Sequence, residues 1–295
     1  MALKSKFSSP LRYPGGKARI SQFMEDIILL NNLEGCNLYE LYAGGAGASL
    51  NLLFSGLVNK IILNDLDFHL YSFWYSIVNH SEEFNKLIRD TDINIEAWDT
   101  QKRVYDNPDA YSIIDVGFST FFLNRTNRSG ILYKAGPIGG REQKGNYKID
   151  VRFNKTELEQ RVNAIANRKD DIEIHNKESL TFIKYIFKKK DKKLLFLDPP
   201  YYNQGENLYL NFYDDKDHLD LSKTLAKNKD QNWFLTYDNC PRIQELYDNF
   251  RKSFLPMSYT LQNKRKSNEI MMFSDRLFLP KQLRMGIKST KFELL

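Results

Sequence analysis

The stretch LLFLDPPYYN, residues 194 to 203, is an apolar run that stops at a carboxylate followed by two prolines and two tyrosines. Proline lacks the N–H that a ladder or helix needs and restricts the residue before it. A strand must therefore end at about Asp198, with Pro199-Pro200 forming a stiff, extended corner. Asp198 then stands at a strand tip, where open α/β sheets gather their ligands. A carboxylate beside a rigid carbonyl offers two acceptors in fixed relation. Such a pair suits the two N–H bonds of an amino group whose nitrogen is to be drawn towards tetrahedral geometry. Tyr201 adds an aromatic face for stacking. Neither Cys36 nor Cys240 follows a proline, and His69, His80, His175 and His218 show no triad-like arrangement. No covalent enzyme intermediate is expected, and the histidines read as structural or surface residues.

A second chemical feature lies near the N-terminus, in LYELYAGGAGASL, residues 38 to 50. Gly44, Gly45 and Gly47 fall between an apolar run and a helical pattern, where backbone must turn tightly and approach a ligand. The next apolar run ends in ILNDLD and places Asp65 21 residues after Gly44. A carboxylate at that separation can accept from both hydroxyls of a ribose. The pairing points to an adenosine-type cofactor, a nicotinamide or S-adenosylmethionine; helix capping by Asn64-Asp65 is the plainer alternative.

These features need strands to carry them. Short apolar strands are predicted at 38–41, 61–64, 172–174, 194–197, 233–237 and 270–273, with a less defined seventh around 254–257. Helical patterns at 20–30, 48–54, 180–187, 218–226 and 241–250 lie between several of them. The βα rhythm predicts an α/β, doubly wound, largely parallel sheet. The rhythm breaks from about Tyr71 to Lys169. Residues 1–70 and 170–295 are therefore expected to form one domain, and 71–169 an inserted, mainly helical second domain with a basic, hairpin-like end.

Of the 295 residues 42% are hydrophobic and 14% aromatic, enough for a packed interior. Two distant cysteines and no second Cys/His pair at ligand spacing imply a reducing compartment and no metal site. The N-terminal residues hold no signal-like apolar core, and no run approaches the roughly 18 apolar residues of a membrane span. A cytoplasmic protein with no membrane contact is expected. The formal charge is +6, and its placement is uneven. Between Phe121 and Phe153 seven basic residues, Arg125, Arg128, Lys134, Arg141, Lys144, Lys148 and Arg152, face two acidic ones, Glu142 and Asp150. Interleaved with Tyr133, Tyr147 and glycines, this segment suits a phosphate backbone, with a solvated hairpin as the alternative.

The motifs occur in a telling order: LRYPGGKARI, ELYAGGAGASL, ILNDLD, FFLNRTNRSG, LLFLDPPYY and KSNEIMMF. In this order they resemble the Dam-like family of DNA adenine N6-methyltransferases, and the resemblance spans nearly the whole chain. It implies a seven-stranded, Rossmann-like S-adenosylmethionine-dependent methyltransferase sheet with an inserted target-recognition domain. It further implies Asp198, Pro199, Pro200 and Tyr201 as catalytic residues. Tyr13, Lys17, Gly44, Gly45, Asp65 and Asp198 become cofactor contacts, and Lys17 could alternatively meet the Asp198 carboxylate. Arg125, Arg128, Lys134 and Arg141 are expected on double-stranded DNA, and Glu178 either near the adenosine or as a helix cap. A prokaryotic or phage-type enzyme is implied, with a cognate restriction endonuclease as a possible partner. The competing readings are an N4-cytosine methyltransferase, which more usually carries serine where Asp198 stands; an RNA or protein-amide methyltransferase, where the amide case favours asparagine there; and a catalytically inactive DNA-binding relative.

Overall fold

The computed structural model describes residues 9–12, 17–202, 213–258, 266–286 and 288–295. Five strands run parallel: β1 (Asn37–Glu40), β2 (Lys60–Asn64), β3 (Ile172–His175), β4 (Lys193–Leu197) and β5 (Trp233–Asp238). β6 (Arg251–Ser258) and β7 (Lys266–Phe273) complete the sheet as an antiparallel pair, giving the order β3-β2-β1-β4-β5-β7-β6. The less defined seventh strand lies within β6.

Strand side chains alternate between two cores, as the pleat requires. Leu38, Leu194, Phe196, Phe234, Met271 and Phe273 enter one cluster; Tyr39, Leu195, Leu197, Leu235, Ile270 and Met272 enter the other. Burial on both faces explains why β4 is apolar at four successive positions after Lys193. Each such side chain contributes roughly 1.5–3 kcal/mol on burial.

The first cluster is covered by α1 (Ser21–Leu30), α2 (Gly47–Phe54) and α3 (Phe68–Asn79). It continues into the helices between β2 and β3: α4 (Ser81–Asp90), α5 (Ile95–Asp106), α6 (Ile113–Thr126) and α7 (Lys155–Ala166). Phe73 of α3 stacks on Phe121 of α6, with ring centres 6.0 Å apart, and Phe84 and Phe153 close around the pair. The boundary expected at Tyr71 falls inside α3. The second cluster lies under α8 (Ser179–Lys188), α9 (Asp215–Ala226) and α10 (Pro241–Leu246).

Two features differ from the expectation. The basic stretch after α6 forms turns closed by one bridge, Asn127 to Pro137, instead of a hairpin ladder. Lys134 and Gln143 adopt positive φ, which breaks the extended backbone a ladder needs. A C-terminal pair, β8 (Gln282–Met285) and β9 (Lys288–Lys291), was not anticipated; Arg284 ties it to Asp26 of α1 through Nε at 2.6 Å.

The chain steps outward from β1 to β3 and then returns to β4, so the order reverses between β1 and β4. The crevice beyond the carboxyl ends of two such strands is the ligand position of open α/β sheets. Glu40 ends β1 opposite Phe196, and Asp198 stands just past β4. Because β7 is antiparallel, its Glu269 lies opposite Asp238 at the same edge.

Candidate functional site

Four strands thus deliver carboxylates to one edge, and a single lysine meets two of them. Lys17 opens a short 3-10 turn, Lys17–Ile20, and is only 5% exposed. Its Nζ lies 2.8 Å from Asp198 Oδ2 and 3.4 Å from Glu269 Oε2, and donates to the Tyr201 hydroxyl at 3.1 Å. The Tyr201 hydroxyl in turn donates to Glu269 Oε1. On its other side the Asp198 carboxylate accepts from Thr236 Oγ1 of β5 at 2.5 Å. Tyr202 N donates to Asp238 Oδ1 at 2.9 Å, pinning the turn that follows the two prolines. Pro199 is buried and Pro200 half-buried.

Among the described residues, the carboxyls here outnumber the one lysine they surround. Burial pushes the Asp198 carboxyl above its ordinary range; Lys17 opposes that shift and Glu269 adds to it. Burial also works against the Lys17 ammonium, yet Asp198 and Glu269 outweigh it and hold its pKa above the ordinary value. Glu40, buried and accepting from Ser49 Oγ, is pushed up to about 8 by burial, with the Asp198 charge contributing. Lys17 is therefore the cation that opposes protonation of Asp198 in a low-dielectric site.

At the ends of β1 and β2, the Gly44 N–H donates to Asp65 Oδ2 at 2.9 Å and the Asp67 N–H to Oδ1 at 3.0 Å. Burial, then the neighbouring Asp67, pushes the Asp65 carboxyl up to about 7. Trp74 Nε1 donates to the Gly44 carbonyl at 2.9 Å and fixes the turn; Gly44 and Gly45 are both buried. Tyr13 lies outside the described residues. Glu178 caps α8, accepting from Leu180 N at 2.6 Å and Thr181 N at 2.7 Å, so its capping alternative is the one seen. Among the described residues no group of three or more His, Cys, Asp or Glu is arranged for a metal, and no helix is long and apolar enough to cross a membrane.

The four basic residues expected on DNA separate into two kinds. Arg128, Lys134 and Arg141 are exposed. Arg141 makes a bidentate pair with Asp99, 2.8 Å at each contact, and Lys134 lies 4.6 Å from the Tyr133 ring centre. Arg125 must be corrected: it is 7% exposed and its Nε donates to the Pro10 carbonyl at 2.6 Å. Burial, with Arg161, Arg12 and Arg152 nearby, lowers its pKa to about 9. It faces the N-terminal segment, because α6 packs its last turn inward.

Sequence reasoning left Glu269, Glu40 and Thr236 out of the site. Glu40 carried a signal, a carboxylate inside an otherwise apolar run, and Glu269 stands in the KSNEIMMF motif directly before one; Thr236 carried none.

An α/β sheet of this order, with acidic residues and a lysine converging at its reversal point, defines a Rossmann-like architecture with a ligand site at that point. A family model of D12 class N6 adenine-specific DNA methyltransferases matches residues 13–260, and the chain belongs to that family. It is thus an adenine-specific DNA methyltransferase, in agreement with the resemblance carried by its motifs. A search of curated protein sequences gives no match.

Proposed function

We propose that the enzyme uses S-adenosylmethionine to methylate N6 of an adenine turned out of duplex DNA, and that Asp198, Pro199 and Tyr201 form the pocket for that base. The observation that carries this reading is the Asp198 carboxylate, held by Lys17 and Thr236 where the strand order reverses. The residues present fit the cofactor. Each Asp65 oxygen accepts one N–H, which leaves a lone pair on each for a ribose diol. Among the described residues the buried carboxyls around Lys17 outnumber it, and added positive charge nearby would stabilise their ionised forms. Gly44, Gly45, Asp65 and Lys17 would hold it, with Tyr13 of the same motif. When bound, it supplies an electrophilic methyl carbon on a positively charged sulfur.

The protein's part is to make an aromatic amine nucleophilic. The N6 lone pair is delocalised into the ring. Asp198 accepts one N6–H and the Pro199 carbonyl the other, drawing the nitrogen towards tetrahedral geometry and stabilising the positive charge it acquires. The two prolines fix both acceptors beforehand. The surplus proton leaves along the bond to Asp198. A stacked base cannot reach this corner, so the adenine must flip, and the Tyr201 ring, tethered through its hydroxyl to Glu269, stacks on it and offsets part of the unstacking cost.

We assign target recognition to residues 71–169, with Arg128, Lys134 and Arg141 on the phosphate backbone, and catalysis to 1–70 and 170–295. The role is that of a restriction system's modification half or a Dam-like enzyme, acting in the cytoplasm with its DNA. Methyl-labelled S-adenosylmethionine and a duplex with 2-aminopurine in place of candidate adenines test the reading. Label in N6-methyladenine and a fluorescence rise on binding are expected; label in N4-methylcytosine, or no rise at any adenine of a methylated site, would overturn it.

A further inference from the structure

The N-R-T-N-R-S-G run, residues 124 to 130, turns towards the backbone of residues 9 to 12. Asn124 Oδ1 accepts from the Arg12 N–H at 2.7 Å, while Nδ2 donates to the carbonyls of Arg12 at 2.9 Å and Gly130 at 2.8 Å. Arg125 Nε holds the Pro10 carbonyl, Arg161 Nη1 of α7 holds that of Ser9 at 3.0 Å, and Arg12 Nη1 reaches back to Asn127 O at 3.4 Å. Gly130 completes the clasp. Its φ is +73°, and a Cβ there would stand 2.4 Å from the Arg12 carbonyl oxygen, so no other residue fits without moving that strand of chain.

Five residues after Arg12 comes Lys17. The turn that it opens is held on its far side by Gly47, the first residue of α2, where a Cβ would lie 3.0 Å from Ala18 Cβ. Lys17 is thus set between two anchors, the clasp on α6 and the glycine loop. The clasp is also continuous with the basic loop: Arg128 N donates to Gly136 O at 3.1 Å and Ile138 N to Thr126 O at 2.8 Å.

We propose that Asn124 is a positioning residue for methyl transfer: by locking residues 9–12 onto the recognition segment, it sets the Lys17 ammonium between Asp198 and Glu269. The inference rests on the reading of Lys17 and Asp198 given above. Asn124 is fully buried with its amide bonded to backbone, so it is no DNA contact. A role in fold stability alone would act equally whatever residue stands at position 17.

That difference is measurable in a double-mutant cycle of Asn124→Ala and Lys17→Met, read by single-turnover methylation and by DNA affinity. Asn124→Ala is expected to slow transfer roughly 10- to 100-fold, the scale of a small misplacement of a catalytic group, with DNA affinity unchanged. In the Lys17→Met background the same substitution should cost less than about twofold, because the group it places is already gone. Equal losses in both backgrounds, or a loss confined to DNA affinity, would overturn the proposal. Arg125→Ala, which removes the bond to Pro10 alone, repeats the cycle if Asn124→Ala does not fold. Should Lys17→Met itself transfer at the full rate, the reading of the site falls, and this inference with it. Should Lys17→Met be slow while both clasp variants stay fast, only this inference falls.

Discussion

Two charged clusters of opposite sign organise this enzyme. At the sheet edge Asp198, Glu269 and Glu40 gather around one ammonium, and at the clasp Arg12, Arg125, Arg152 and Arg161 gather with Glu157, which pairs with Arg161. In each, burial and then the crowding of like charges displace the acidities: the Asp198 and Glu40 carboxyls move up, the Arg125 guanidinium moves down. In the proposed reaction the acidic one meets positive charge, on the methyl donor and on the amine as it reacts; the basic one lies beside the loop assigned to the DNA phosphates. The difference teaches that a charged cluster need not touch its ligand everywhere. Arg125 is spent on a carbonyl inside the protein, while Arg128, three residues on, faces out.

The acidic cluster is where the largest effects are expected. Asp198→Asn keeps an acceptor but removes the charge, and should slow single-turnover methyl transfer roughly 10²- to 10³-fold, the scale of losing one preorganised electrostatic contact. A rate within tenfold of the parent would show that the charge is not what activates the amine. Next comes Lys17→Met, expected to cost roughly 10- to 100-fold. It should also move the acid limb of the pH–rate profile. In the proposed reaction the ionised Asp198 is the working form, and Lys17 is the group that opposes its upward shift. Without the ammonium, protonation sets in at higher pH, so activity must fail earlier on acidification. An acid limb that stays in place would remove Lys17 from this role.

The basic cluster should respond differently. If Arg128 meets a phosphate, Arg128→Ala lowers the slope of log affinity against log salt by about 0.9, and Arg125→Ala leaves that slope unchanged. A reversed pattern would put the buried arginine on the DNA after all.

The contrast between those two arginines also marks how far the sequence was legible. Strand and helix positions were, because apolar period and Gly/Pro punctuation are local. So were the positions of Asp198, Tyr201 and Gly44, each at or beside a breaker that follows a strand, and of Asp65, where an apolar run ends. Composition does not tell a guanidinium bonded to an inner carbonyl from one in solvent, and so Arg125 was misplaced. Glu269 and Thr236 reach Asp198 only through the register of β7 on β5 and of β5 on β4. Register of this kind is tertiary information. The pair β8–β9 is short and partly exposed, with little apolar pattern to announce it.

The smallest expected effect concerns stability and tests the sign of the charge imbalance. Glu40 has a folded-state pKa of about 8 against an ordinary value of 4.5, so folding favours its protonated form. The stability linked to that proton is fully present below the ordinary value and is lost as pH rises towards about 8. Glu40→Gln keeps an oxygen for the Ser49 hydroxyl and carries no charge at any pH. Its melting temperature should match the parent near pH 5 and exceed it by at least about 2–4 °C near pH 9, a difference that widens between them. A gap that closes as pH rises would mean that Glu40 is held as a carboxylate. The cluster around Lys17 would then be balanced by cations beyond that lysine, and the contrast with the arginine clasp would lose its basis.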